Sequence, residues 1–101
     1  MEKKYKSFEE FYPFYLSEHS NRTCRRLHFI GSALVLIVFA YSVLALNWLA
    51  LAALPVLGYG FAWAGHFFFE KNRPATFTYP LYSFIGDWVM FKNILTGKLK
   101  F

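Results

Sequence analysis

Apolar positions near the start of the chain recur at helical spacing and then merge into one long apolar run. Phe8, Phe11, Tyr12, Tyr15 and Leu16 fall on one helical face, and Ser7 followed by Glu10 has the form of a capping box. This predicts an amphipathic helix over about 7–18, lying along a membrane surface, with Pro13 in its second turn, where the ring bends or restarts a helix. From Phe29 to Phe69 there is no Asp, Glu, Lys or Arg across 41 positions. That is about twice the ~20 residues needed to cross a bilayer once. Polarity returns within the run only around Leu46-Asn47-Trp48, so the pattern divides it into two helices, about 21–46 and 48–70, joined by a tight turn. Ser20 or Asn21 can cap the first of them. Asn72-Arg73-Pro74 ends the second, because the residue before a proline disfavours helical geometry, and Pro55 lies inside it as a site of kinking. Pro80, well placed in a first helical turn, then opens a fourth helix over about 80–95. Leu81, Phe84, Ile85, Trp88, Val89 and Phe91 give this helix a broad apolar surface interrupted by Asp87. Its ~15 residues are short for a span, which places it at the interface or across the other helices as a short membrane helix.

The expected architecture is a single all-α membrane domain over 1–101. Two transmembrane helices form a hairpin, with an N-terminal amphipathic helix and a C-terminal interfacial or short membrane helix. Basic residues precede the first span and follow the second, and none lies in the turn between them. By the positive-inside rule both termini are cytoplasmic, in the inner membrane of a bacterium or the endoplasmic reticulum of a eukaryote. The net charge of +5 sits at the edges of the apolar run, which favours anionic lipid headgroups over nucleic acid. Trp48, Trp63 and Trp88 fall near expected helix ends or on membrane-facing segments. The charged first 28 positions predict no cleavable secretory signal. Cys24, the single cysteine, has no internal disulfide partner and is expected to be a bystander. Gly58, Ala62 and Gly65 form a strip of small residues suited to close helix packing, and an oligomer is compatible with the pattern.

The chemistry-bearing residues gather at one end of this hairpin. With the turn centred on Asn47, His28 lies 19 positions before it and His66 lies 19 after it, so both reach the same depth near the cytoplasmic boundary. His19 would lie opposite His28 on a continuous helix and must instead swing in from the loop before the helix. Asn21 is two turns from His28, while His66 and Glu70 have the spacing that lets an imidazole and a carboxylate point the same way. Neutral imidazoles suit zinc, iron, copper or nickel, and two histidines with a carboxylate suit non-haem ferrous iron. The ordinary alternative is that each histidine sits at the interface and bonds a headgroup or a carbonyl. Asp87 has three readings, as ligand, as proton-transfer group, or as a structural partner for Arg73, the last being the usual role of a carboxylate in an apolar helix. Arg25, Arg26, Lys71 and Arg73 can pair with a substrate carboxylate, although basic residues at a membrane edge ordinarily serve as topological anchors.

Two motifs carry a family resemblance. His19-Ser20-Asn21 followed by His28 resembles His-x-Asn-x6-His, and the segment from Gly65 to Ala75 resembles Gly-His-x-x-Phe-Glu-Lys-x-x-Pro-Ala. Together they are similar to the small membrane-protein family that includes the iron-dependent 2-hydroxy fatty acid dioxygenase of phytosphingosine degradation to odd-chain fatty acids. The resemblance covers nearly the whole chain. It implies Fe(II), dioxygen and a 2-hydroxy fatty acid that loses one carbon by α-oxidation. His19, His28 and His66 match the family's histidines, and Asn21 and Glu70 match its neighbouring polar positions, where they bind metal or orient ligands. The acyl tail is then expected among Phe67, Phe68 and Phe69 and the neighbouring helices. The competing reading is a non-catalytic hairpin that binds lipids or joins a larger membrane complex. A small multidrug-type transporter subunit ranks last, because the central run lacks the mid-span charge such proteins carry.

Overall fold

The structure is a computed structural model that describes residues 4–101; the first three positions of the expected domain lie outside the described residues. The described chain is helical, with no strand. Helix α1 (Phe8–Ser17) starts where Ser7 Oγ accepts the Glu10 amide at 3.2 Å, while the Glu10 carboxylate reaches back to the Lys6 amide at 3.1 Å. Pro13 does not end it. Phe11 and Tyr15 on the buried face of α1 pack with Tyr79 and with Met90 and Ile94 of helix α4 (Pro80–Leu95). The Tyr79 hydroxyl accepts the backbone amides of Lys4 and Tyr5, and Asn93 donates to the Tyr12 hydroxyl at 2.8 Å. Aromatic packing thus holds the N-terminal segment against α4.

Helix α2 (Arg22–Leu44) is capped by Asn21, whose Oδ1 accepts the Cys24 amide at 3.1 Å. The chain reverses at Ala45–Asn47, with Leu46 in the left-handed region at φ 53°, and Asn47 caps a 3-10 turn over Trp48–Ala52. Helix α3 (Ala53–Ala64) follows and packs antiparallel along α2. Glycine permits this approach: a Cβ at Gly31 would lie 2.9 Å from Phe61 Cβ and 3.1 Å from the Leu57 carbonyl oxygen. At Gly65 it would lie 2.9 Å from Cys24 Sγ.

The helix expected over 48–70 runs from Trp48 to Glu70 and changes its winding at both ends. Pro55 has no amide to close a helical bond with the preceding turn, and the residues before it adopt the tighter 3-10 form. At the other end Gly65–Glu70 widens into a π turn, closed by left-handed Lys71 (φ 62°) and by the Asn72 amide on the His66 carbonyl. Arg22–Leu44 and Trp48–Glu70 each comprise 23 residues and are long and apolar enough to cross a bilayer.

Candidate metal centre

Each of the three histidines comes from a different kind of local structure. His19 follows the end of α1 and stacks on the Tyr15 ring, with centroids 4.0 Å apart. His28 lies two turns into α2, and His66 sits in the π turn. All three are buried, and their centroids are 4.4, 4.5 and 4.9 Å apart with the ring planes nearly perpendicular to one another.

Hydrogen bonds fix the tautomers. His19 Nδ1 meets the Tyr15 carbonyl at 2.6 Å and His28 Nδ1 meets the Cys24 carbonyl at 2.9 Å, so both nitrogens are donors. His66 Nδ1 meets Asn72 Oδ1 at 2.7 Å, and the orientation of that amide follows from its Nδ2 donating to the Glu18 carbonyl at 3.1 Å. With every Nδ1 proton committed, each Nε2 carries a bare lone pair. His19 and His28 nevertheless bring their Nε2 atoms to 3.0 Å, where two lone pairs repel. A cation between them removes the conflict. Two nitrogens each ~2.1 Å from one ion, at right angles, lie ~3.0 Å apart. One ligand nitrogen from each histidine lies within 4.8 Å of the others. Burial, followed by the charges of His28 and His66, holds the His19 imidazole well below the usual histidine range, in the neutral form a metal requires. The donor set therefore fits a divalent transition metal.

The remaining expected residues divide between bracing and lining. The Glu70 carboxylate accepts the Asn21 amide and, at 3.4 Å, the Ser20 hydroxyl, while the acceptor on His66 Nδ1 is Asn72. Asn21 caps α2, and its Nδ2 meets the Phe69 carbonyl at 3.5 Å. Asn21 and Glu70 together pin the His19 loop to the end of the π turn. Arg25 donates to the His19 and Ser20 carbonyls at 3.3 Å each. Arg26 lies over the Phe101 ring and Arg73 over the Phe77 ring, while Lys71 is exposed. Asp87 pairs with the Tyr15 hydroxyl, on the helix face turned toward α1, so its structural partner is not Arg73. Cys24 is fully buried against Gly65 and orients His28 through its carbonyl, which is more than a bystander's place.

Two cavities meet at this centre. A small one of about 20 Å³ is bounded by the three histidines, Tyr15, Ser83 and Asp87. A larger one of about 350 Å³ begins at His28 and Asp87 and continues between Val35, Leu54, Gly58 and Trp88. Among the described residues no Lys or Arg lines either. Phe67, Phe68 and Phe69, expected around an acyl tail, are instead exposed on the outside of the π turn and line neither cavity.

A sequence model of the family described as 2-hydroxy-palmitic acid dioxygenase Mpo1-like matches residues 5–99. The chain belongs to the Mpo1-like family. No curated protein and no solved structure matches it. The family description names a dioxygenase, and this Mpo1-like chain has three buried histidines able to hold a metal, with two long apolar helices behind them.

Several residues of the Mpo1-like site carried no sequence signal. Asn72 falls at an unspecified position of the second motif, yet it sets the His66 tautomer. Tyr15 acts on His19 mainly through its backbone. Ser83 is a lone serine in an apolar helix until the fold turns it into the small cavity.

Proposed function

We propose that this protein is an Fe(II)-dependent dioxygenase that converts a 2-hydroxy fatty acid to the acid one carbon shorter, at the cytoplasmic boundary of a membrane. The observation carrying this reading is a cluster of three buried histidines, each able to offer one ligand nitrogen, at the head of a largely apolar cavity. The reaction balances without an outside reductant: R–CH(OH)–COOH and O2 give R–COOH, CO2 and H2O, all four electrons coming from the substrate.

Membrane insertion is supported by what the two long helices leave uncovered. Leu44 and Leu49 are 85% and 84% exposed, and Leu36, Ile37, Phe39 and Val56 are exposed with them. An apolar surface of that extent is stable only against lipid or a partner. We infer that α2 and the Trp48–Glu70 segment span the bilayer as a hairpin with both termini cytoplasmic, since the flanking Arg and Lys lie at the histidine end.

His19, His28 and His66 hold the iron, which supplies the redox chemistry with dioxygen that a carboxyl-to-carbinol bond cleavage requires. In this reading Asp87 takes the proton of the 2-hydroxyl, which is supported by the Tyr15 hydroxyl donating to Oδ1 and leaving Oδ2 to receive it. Burial pushes the Asp87 carboxyl up to about 6, within the range of a base that works near neutral pH. The cavity along Val35, Leu54, Gly58 and Trp88 holds the acyl chain and keeps water from the reacting carbons. Asn21, Glu70 and Arg25 keep the His19 loop in register.

The test is to reconstitute the protein in liposomes with Fe(II) and 2-hydroxypalmitic acid and to follow oxygen uptake and product. The expected result is pentadecanoic acid and CO2 in equal amounts with oxygen consumed, abolished by chelation. Absence of oxygen uptake across a range of 2-hydroxy acids overturns the proposal and leaves the lipid-binding hairpin.

A further inference from the structure

Ser83 and Asp87 are one helical turn apart on α4, share a face, and both border the small cavity with the three histidines. Their hydrogen bonding differs. Asp87 is satisfied by Tyr15, whereas Ser83, only 4% exposed, has an Oγ with no hydrogen-bond partner among the described residues. Hydroxyls in helices commonly bond the carbonyl one turn back. Ser42 does so with Val38 at 2.7 Å and Thr96 with Lys92 at 2.9 Å. Ser83 forgoes this bond, although an unsatisfied buried hydroxyl is costly. A side chain that stays unpaired beside a cavity is placed to serve whatever enters it.

We propose that Ser83 is a substrate-binding residue whose hydroxyl donates to a carboxylate oxygen of the 2-hydroxy acid, holding the acid group against α4 while the acyl chain lies along Val35, Gly58 and Trp88. This rests on the substrate class proposed above. Among the described residues no Lys or Arg lines either cavity, so the acid group meets a neutral donor there and would find its positive charge in an ion held by the histidines. The four basic residues near the membrane edge stay outside the contact. The arrangement also sets direction: head toward Ser83 and Asp87, tail toward Leu54.

The test measures binding without turnover, on Fe(II)-loaded protein kept anaerobic in bicelles. 1-Bromohexadecane, which fills the apolar cavity and offers no ionised acceptor, quenches Trp88, and 2-hydroxypalmitic acid displaces it. Ser83→Ala should weaken 2-hydroxypalmitic acid by about 10-fold, the lower end for a hydrogen bond to a charged group. It should leave bromohexadecane affinity and iron content unchanged, and Ser83→Thr should restore acid binding to within ~3-fold. An equal loss for both ligands, meaning a collapsed cavity, or no loss for either overturns the proposal, as does a wild-type protein that binds no acid. If the wild type binds the acid with this Ser83 dependence but never shortens it, the dioxygenase reading fails while the Ser83 assignment stands.

Discussion

Tyr15 lies flat against His19, accepts its Nδ1 proton through the backbone at 2.6 Å, and donates its hydroxyl to Asp87. One residue thereby orients an imidazole of the histidine cluster and a carboxylate on another helix. Only the second of these roles depends on the side-chain oxygen.

Tyr15→Phe therefore separates them. Iron content should stay near that of the wild type, because the carbonyl and the ring remain, while the rate of acid shortening falls ~10-fold or more. Burial raises the Asp87 carboxyl to about 6 and the Tyr15 bond pulls it down, so losing the hydroxyl raises it further. With ionised Asp87 as the active form, the acidic limb of the kcat profile should move to higher pH in Tyr15→Phe. In Asp87→Asn the limb should vanish, with kcat lower by ~100-fold or more. The checks are pH–rate profiles and iron analysis on the same preparations.

Asn72 holds His66 through Oδ1 and Glu18 through Nδ2. Asn72→Ala should lower affinity for Fe(II), or for Co(II) as a spectroscopic probe, by ~10–100-fold, the usual cost of removing an acceptor behind a metal-binding histidine. Asn72→Asp keeps the acceptor and should retain most of the affinity. Anaerobic metal titration reads both.

The proposed ion joins the loop after α1, the start of α2 and the π turn, adding to the bonds that Asn21, Arg25 and Glu70 already make between them. Fe(II) at ~100 times its Kd should stabilise the protein by ~2.7 kcal/mol. Its melting temperature should rise accordingly and fall on chelation. His19→Ala, His28→Ala and His66→Ala should each abolish the metal-dependent rise.

Gly65→Ala should be among the most damaging small changes, since its Cβ would press on Cys24 Sγ at 2.9 Å and on Cys24 Cα at 3.1 Å. Backbone atoms cannot rotate away, and a cost of ~1–3 kcal/mol is expected, with loss of metal as His66 moves from His28. Gly60→Ala is the control: nothing lies within 4 Å of its Cβ, and Ala favours the helix. Thermal melts and metal content distinguish the pair.

The all-helical class and the two long apolar helices were legible because uncharged length and helical periodicity need no tertiary information. The three histidines were legible as a group because two fall at matched distances from the Leu46-Asn47 turn and the third lies just before a cap. The roles around them were not. Spacing on a regular helix pairs Glu70 with His66, but the hydrogen-bond partner of His66 Nδ1 is Asn72, which follows the π turn and has no helical spacing to mark it. Tyr15 and Cys24 act through carbonyls, which every residue has, so no side-chain pattern marks them. Asp87 was visible as an anomaly in an apolar helix, while its partner on α1 depends on how α1 folds across α4.

The larger cavity lies between helices, with Phe84 at its edge 55% exposed. In a bilayer such an edge faces acyl chains sideways. For the reaction proposed above, substrate would arrive by lateral diffusion within the leaflet, and its mole fraction among the lipids would set turnover. Diluting the same amount of 2-hydroxy acid into more phospholipid should slow the protein even when the concentration per volume of water is unchanged.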